Sequence, residues 1–124
     1  MELTIDTNLI RLFPGHFLVL QPEKQGHITE GGIYRINTPY GAMGSAQCKC
    51  ITRHALGAIT TPVLLMAEGN TLYKERMKEA GCFSLDNVQV CLFTWLRRSS
   101  NFSLMLEKEM KAAGIPILNQ PQLF

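Results

Sequence analysis

One segment, Val88–Leu96, limits the possible folds of this chain most strongly, because it contains no charged residue. Its apolar residues fall on both alternating phases: Val88, Val90 and Leu92 on one, and Cys91, Phe93 and Trp95 on the other. Successive side chains of a strand point to opposite faces of a sheet, and a strand with two apolar faces lies inside a sheet or barrel. We therefore predict a central strand in which Val90, Leu92 and Phe93 are nearly fully buried.

Three further segments, 16–21, 33–37 and 45–52, have the composition or the alternation of strands. In the third segment Ala46, Cys48 and Cys50 alternate with polar residues, which predicts that these three side chains share the buried face of a half-buried strand. The turn Thr38–Gly41 has Pro and Gly at the positions that a type I turn favours. It predicts a β-hairpin formed by the second and third segments.

Helical signals are strongest at 71–80, which Gly81 ends, and at 101–113, where Gly114 ends the helix and Pro116 prevents its return. We expect one short helical turn at 53–59 and an irregular lead-in at 1–14. Strands outnumber helices, and no regular alternation of strand and helix is present. We therefore expect a single α+β domain over 1–124, with a small curved, mainly antiparallel sheet, flanking helices and a C-terminal helix.

Composition excludes several classes of protein. With 46% hydrophobic and 18% charged residues, the 124-residue chain has a globular composition. Its longest apolar run, 62–67, is too short to span a membrane, and the first residues do not form a secretory signal, so we expect a cytoplasmic protein without a membrane partner. The sequence contains no P-loop, dinucleotide-binding glycine motif, zinc-protease motif or nucleophile elbow. We expect no cofactor.

Four cysteines are present, at positions 48, 50, 82 and 91. A Cys-x-Cys pair with two distant cysteines could bind zinc, but structural zinc sites usually place two to four residues between the paired ligands. Here eight residues separate Cys82 from Cys91. Cytoplasmic cysteines are normally reduced, so we predict free core thiols and no metal site.

Charge is distributed unevenly along the chain. No acidic residue occurs between Gly31 and Ala67 or between Asn87 and Leu106. These stretches contain the candidate nucleic-acid-binding residues, which are Arg35, Tyr40, Lys49, Arg53 and Arg97. The four cations would contact phosphates, and Tyr40, or Trp95 in its place, would stack on bases. The alternative is that these cations are scattered over an ordinary solvated surface.

Two stretches of the chain resemble a known family. Gly32–Ile36, followed by a turn and the strand Ala46–Thr52, resembles the first part of a PUA-like barrel of the ASCH type. Tyr73–Gly81 and then Val88–Trp95 resemble its later half, in which a helix precedes a final apolar strand. The resemblance covers roughly residues 16 to 96 through element order and apolar spacing. It implies a PUA-like β-barrel, with 101–113 as a helical extension, and it implies RNA binding.

Three functions stay open. The first is RNA binding by the five candidate residues. The second is a small amide or nucleoside hydrolase of the ASCH type, which needs a general base, and Lys24 with Glu23 or Glu30 is the only nearby set. The third is a dimerising domain that associates through the helix 101–113 and the apolar tail 117–124. A continuous basic groove would favour the first function, and a pocket lined by Lys24 and Glu30 would favour the second.

Overall fold

The computed structural model describes residues 1–6, 9–69 and 71–114. These residues form the strands β1 (Glu2–Thr4), β2 (His16–Pro22), β3 (Ile33–Thr38), β4 (Gly41–Ala55) and β5 (Asn87–Arg98). They also form the α-helices α1 (Leu9–Leu12), α2 (Thr61–Glu68), α3 (Tyr73–Glu79) and α4 (Ser100–Ala112). Single turns of 3₁₀ helix lie at Glu23–Gln25 and Leu56–Ala58. Within the described ranges, no helix has both the length and the apolar character needed to cross a membrane.

The five strands form one curled, mixed sheet in the order β1-β3-β4-β5-β2. β1 is parallel to β3, and the other three pairs are antiparallel. The predicted α+β fold, with a curved, mainly antiparallel sheet and a C-terminal helix, is therefore confirmed. β5 lies between β4 and β2, as expected for a strand with two apolar faces.

Each face of β5 contributes to a different hydrophobic core. The main core contains Cys91 and Phe93 and receives α1 and α4. Its other buried members are Leu9, Leu12, Phe17, Ile28, Tyr34, Ile36, Met43, Ala46, Cys48, Phe102 and Leu106. The second core lies against α2 and α3 and consists of Leu20, Leu56, Ile59, Leu64, Ala67, Tyr73 and Val88.

Burial along β5 is less complete than the sequence predicts. Phe93 and Val88 have no exposed surface, but Val90 and Leu92 are only half-buried. The prediction of near-complete burial is therefore wrong for Val90 and Leu92. The reason is that α2 and α3 cover this face of the sheet near Val88 and leave it progressively more open towards Leu92.

A β-bulge in β4 changes the face of one cysteine. Cys48 pairs with Phe93 and Cys50 pairs with Leu92, so Lys49 is an extra residue without a partner on β5. Consequently Cys50 leaves the face of Cys48 and is exposed, and the prediction that both share a buried face is wrong for Cys50.

The Glu30 carboxylate supports this bulge, because the backbone N–H of Ile51 donates a hydrogen bond to Glu30 Oε1 at 2.9 Å. β4 then continues to Ala55. The helical turn expected from residue 53 begins only at Leu56, since residues 53–55 still pair with β5.

The N-terminal region is more ordered than the irregular lead-in that the sequence predicts. β1 is too short to have a recognisable period, but it pairs with β3 in the register Glu2 opposite Arg35. α1 packs on the main core, whereas α2 packs on the second core. Arg11 Nη1 donates to the carbonyl of Met66 at 3.0 Å and joins these two helices beside the edge strand β2. Covering an edge strand in this way limits pairing with other chains.

Candidate nucleic-acid interface

Two of the candidate arginines lie in one row across the sheet. Arg35 is directly opposite Ser45, and Ser45 is directly opposite Arg97. The neighbours Tyr34 and Ile36 are buried in the main core, so Arg35 projects from the other face. Two inter-strand steps separate the arginine Cα atoms by about 10 Å. The row therefore carries an exposed guanidinium at each end and a hydroxyl in the middle.

A second bulge is responsible for the position of Arg97. Ala46 pairs with Trp95, and Ser45 pairs with Arg97, so Leu96 is an extra residue on β5. Without this extra residue, strict alternation would place Arg97 on the face of Trp95, in the main core. The bulge instead places Arg97 beside Ser45, on the face that also carries Arg35.

The next row along the same face is polar. Ile33, Gln47, Thr94 and His16 are opposite one another in sequence across β3, β4, β5 and β2. His16 Nδ1 and Thr94 Oγ1 are 3.0 Å apart, and Gln47 Nε2 donates to the carbonyl of Gly31 at 3.1 Å. We call these two rows together the open face, which consists of Arg35, Ser45, Arg97, Ile33, Gln47, Thr94 and His16.

The helices in the described part of the chain leave the open face accessible. α1 and α4 pack on the opposite side of the sheet, and α2 and α3 cover this side only at the far ends of β2 and β5. The open face contains no aromatic residue, and Ile33, with 52% of its surface exposed, is its largest apolar group. Its chemistry is therefore that of two guanidinium groups, hydroxyls, an amide and an imidazole.

One carboxylate adjoins the open face. Arg35 Nη1 lies 3.6 Å from Glu2 Oε2, and both side chains are more than half exposed. Glu2 Oε1 also accepts a hydrogen bond from Asn37 Nδ2 at 2.9 Å. An ion pair this exposed contributes little free energy, so a phosphate can compete with Glu2 for Arg35.

The other three predicted residues are not brought together with this row. Lys49 is exposed in the β4 bulge, two residues beyond Gln47. Arg53 lies near the far end of β4, opposite Gln89, and its Nε is 2.9 Å from Glu23 Oε1. Because Ile51 packs on the main core, alternation places Arg53 on that face and not on the open face.

Tyr40 lies in the β3–β4 turn with 49% of its surface exposed. Its carbonyl accepts a hydrogen bond from Asn101 Nδ2 of α4 at 3.4 Å. The turn therefore faces the C-terminal helix, and Tyr40 lies outside the two rows of the open face.

Arg98 and Trp95 have structural roles. The Arg98 guanidinium lies 5.1–5.5 Å from the ring centroids of Phe13, Trp95 and Phe102. It also donates hydrogen bonds to the carbonyls of Phe13 and Pro14. Burial lowers the pKa of Arg98. Trp95 Nε1 donates to the carbonyl of Leu12 at 2.7 Å, so its indole fastens α1 to the sheet and is not a platform for a base.

Sequence reasoning missed Ser45, Gln47, Thr94 and His16 as members of this surface. Each is an ordinary polar residue within or next to a predicted strand. Their common location follows from the pairing register of β2, β3, β4 and β5. Strand pairing is not visible in local composition, which is why only the charged members could be identified beforehand.

The hydrolase candidates lie elsewhere. A cavity of about 250 Å³ separates the Glu23–Gln25 turn from the loop that follows α3. It is lined by Pro22, Glu23, Lys24, Met77, Ala80, Gly81, Cys82, Leu85, Asp86 and Asn87. The structure thus brings Lys24 together with Glu23, whereas Glu30 is bound to the β4 bulge and does not line this cavity.

All four cysteines are free thiols in the structure. Across 1–6, 9–69 and 71–114, no group of three or more His, Cys, Asp or Glu side chains is placed to hold a metal ion. Cys48 and Cys91 have no exposed surface, and Cys50 is exposed. Burial raises the pKa of Cys91 to about 12 and also raises the pKa of Cys48.

These environments predict a clear order of thiol reactivity, because the thiolate is the nucleophile. We expect iodoacetamide to label Cys50 in the native protein, and Cys48 and Cys91 only after unfolding. Peptide mass spectrometry of protein quenched at increasing times measures this order. Labelling of Cys91 at the rate of Cys50 would contradict the buried placement. A native mass reduced by disulfide formation or increased by zinc would contradict the free thiols.

Comparison with known proteins identifies no relative: no protein-family model, no curated protein and no solved structure matches this chain.

Proposed function

We propose that this chain is a cytoplasmic nucleic-acid-binding module of the PUA-like type, and that it binds single-stranded RNA through the open face. The observation that carries the proposal is the row Arg35–Ser45–Arg97, which spans three strands and is not covered by any helix of residues 1–6, 9–69 and 71–114. Guanidinium groups bind phosphate through paired hydrogen bonds. Two of them about 10 Å apart can engage different phosphates of one extended strand.

The second row supports the choice of RNA. Gln47 and Thr94 can donate or accept hydrogen bonds, and a ribose 2′-hydroxyl needs such partners. Because the open face has no aromatic residue, base stacking contributes little there. Phosphate contacts then dominate the affinity, and they carry no base information. We therefore expect micromolar binding with weak sequence preference and a marked decrease as salt rises.

The test is reversal of both arginines. For Arg35→Glu with Arg97→Glu, we expect at least ten-fold weaker binding of a fluorescent single-stranded RNA at low salt. The slope of log affinity against log salt should become shallower by about 1.4, since each phosphate contact on a single strand contributes about 0.7. Fluorescence anisotropy over a salt series measures both quantities.

The matched control is Lys78→Glu with Lys108→Glu, which changes net charge equally at exposed positions on α3 and α4. It should retain most of the binding. Arg53→Glu should also bind normally, because Arg53 lies on the other face. Equal loss in the control would mean that only net charge matters, and no saturable binding by the native chain would refute the proposal.

A hydrolase is the second candidate, favoured by one observation: Lys24 and Glu23 line the same cavity. It has less support than RNA binding, because Glu23 Oε1 already lies 2.9 Å from Arg53 Nε. This carboxylate oxygen therefore already has a cationic partner and is less available to a substrate or a water molecule.

A homodimer is the third candidate. On the described part of the chain it rests on Leu104 of α4, whose side chain is 54% exposed. The apolar tail 117–124 lies outside the described residues.

A further inference from the structure

The cavity beside the Glu23–Gln25 turn is lined by one positively and one negatively charged residue that can each still bind a ligand. Lys24 forms no ion pair among the described residues, and it is one of the residues that line the cavity. Asp86 lines it as well. Asp86 Oδ2 accepts a hydrogen bond from the backbone N–H of Phe83 at 2.7 Å, which leaves Oδ1 for another partner. The third charged residue of the lining, Glu23, is paired with Arg53.

Cys82 is a lining residue of the same cavity. Burial raises the pKa of Cys82, the Asp86 carboxylate raises it further, and the Lys24 ammonium lowers it. The geometric observation is that Lys24, Cys82 and Asp86 all line this one cavity, so a cation, a thiol and an anion border the same space.

Apart from the charged residues and Cys82, the lining consists of apolar residues and one polar residue, Asn87. Pro22, Met77 and Ala80 supply aliphatic surface, and Leu85 stands at the cavity with 91% of its surface exposed. An exposed leucine of this kind gains burial when a ligand occupies the space beside it. At about 30 Å³ for each water molecule in the liquid, the cavity of about 250 Å³ has room for about eight waters. This is the size of a small metabolite and not of a peptide.

We propose that this cavity binds a free α-amino acid with an apolar side chain. The Lys24 ammonium pairs with the ligand carboxylate, and the Asp86 carboxylate pairs with the ligand ammonium. The apolar side chain of the ligand lies against Met77 and Leu85. A zwitterion can pair with both the Lys24 ammonium and the free oxygen of the Asp86 carboxylate. A ligand with a single charge would leave one of these two groups without a partner.

This inference does not depend on RNA binding, because the cavity and the open face lie at opposite ends of β5. The cavity is the same one in which Lys24 and Glu23 would act if the protein were a hydrolase. The experiment therefore measures binding without turnover, so that failure of the hydrolase leaves this proposal standing.

Calorimetric titration of the native chain with L-leucine should give saturable binding at millimolar or lower concentration. Two analogues test the zwitterion directly. N-acetyl-leucine lacks the ammonium, and leucine amide lacks the carboxylate, so each should bind at least ten-fold more weakly. Equal binding of all three compounds would overturn the proposal, and so would no detectable binding of leucine or methionine.

Substitutions test separately whether Lys24 binds the ligand carboxylate and whether Asp86 binds the ligand ammonium. Lys24→Met should weaken leucine binding at least ten-fold and leave the weak binding of leucine amide unchanged. Asp86→Asn keeps an oxygen for the Phe83 N–H and should weaken leucine binding while leaving N-acetyl-leucine unchanged. Lys78→Met, on the exposed part of α3, is the matched control and should bind leucine normally. If a variant does not fold, the analogue series on the native chain still decides the question.

Discussion

Replacing Phe93 with alanine should lower the free energy of unfolding by about 3 kcal/mol or more. Phe93 has no exposed surface and lies in the main core. Its ring is stacked on Phe17 with centroids 5.2 Å apart, and it meets Tyr34 edge-on at 5.8 Å. Truncation removes both contacts and leaves a cavity between the rings of Phe17 on β2 and Tyr34 on β3. Both strands are fixed in the sheet, so they cannot easily collapse to fill this cavity.

Urea denaturation followed by circular dichroism measures this loss. The matched control is Leu96→Ala on the same strand, because Leu96 is the extra residue of the β5 bulge and 52% of its surface is exposed. The control should lose much less than the Phe93 variant. If the two midpoints shift equally, β5 does not carry the main core, and the burial described for its inner face is incorrect.

Local pattern predicted the elements whose apolar signal extends over many residues. The uncharged segment 88–96 lies within β5, and the terminal helix 101–113 corresponds to α4. The first is recognisable from its apolar residues on both faces and its lack of charge, and the second from its helical apolar spacing and the glycine that ends it. β1 has only three residues, and its pairing partner lies more than thirty positions away, so no local pattern could have revealed it.

The candidate site was less predictable than the fold, because it depends on bulges. A single inserted residue reverses the face of every residue beyond it. Leu96 brings Arg97 to the open face and sends Arg98 into contact with Trp95 and Phe102. Two adjacent arginines with identical sequence signals thus have opposite roles.

The role of Arg53 also could not be predicted from the distribution of charge along the sequence. The absence of acids from 31–67 suggested a cation available for phosphate, but its partner comes from outside that stretch. Glu23 approaches it from the turn after β2. A stretch without acidic residues describes only the neighbours of a cation in sequence. The electrostatics of a site depend on its neighbours in space.

Gly44→Ala should be as destabilising as the loss of Phe93, and for a different reason. Gly44 has φ of +137° in β4, a conformation that L residues rarely adopt. A Cβ atom at this position would lie 2.1 Å from the backbone carbonyl oxygen of Arg97. The strained φ alone costs about 1–3 kcal/mol, and the clash with backbone, which cannot rotate away as a side chain could, adds to it.

Gly41→Ala separates these two costs, because Gly41 also has a positive φ, of +106°, but its nearest new contact would be Asn101 Nδ2 at 3.8 Å. The Gly41 variant should therefore show the cost of φ without the clash, and denaturation midpoints should fall clearly further for Gly44→Ala. Because the clash forces β4 away from β5 at Arg97, it also breaks the row that joins Arg97 to Arg35. Gly44→Ala should then bind single-stranded RNA more weakly than Gly41→Ala at temperatures where both variants are folded. Equal stability of the two variants would show that β4 and β5 do not approach each other this closely at Gly44.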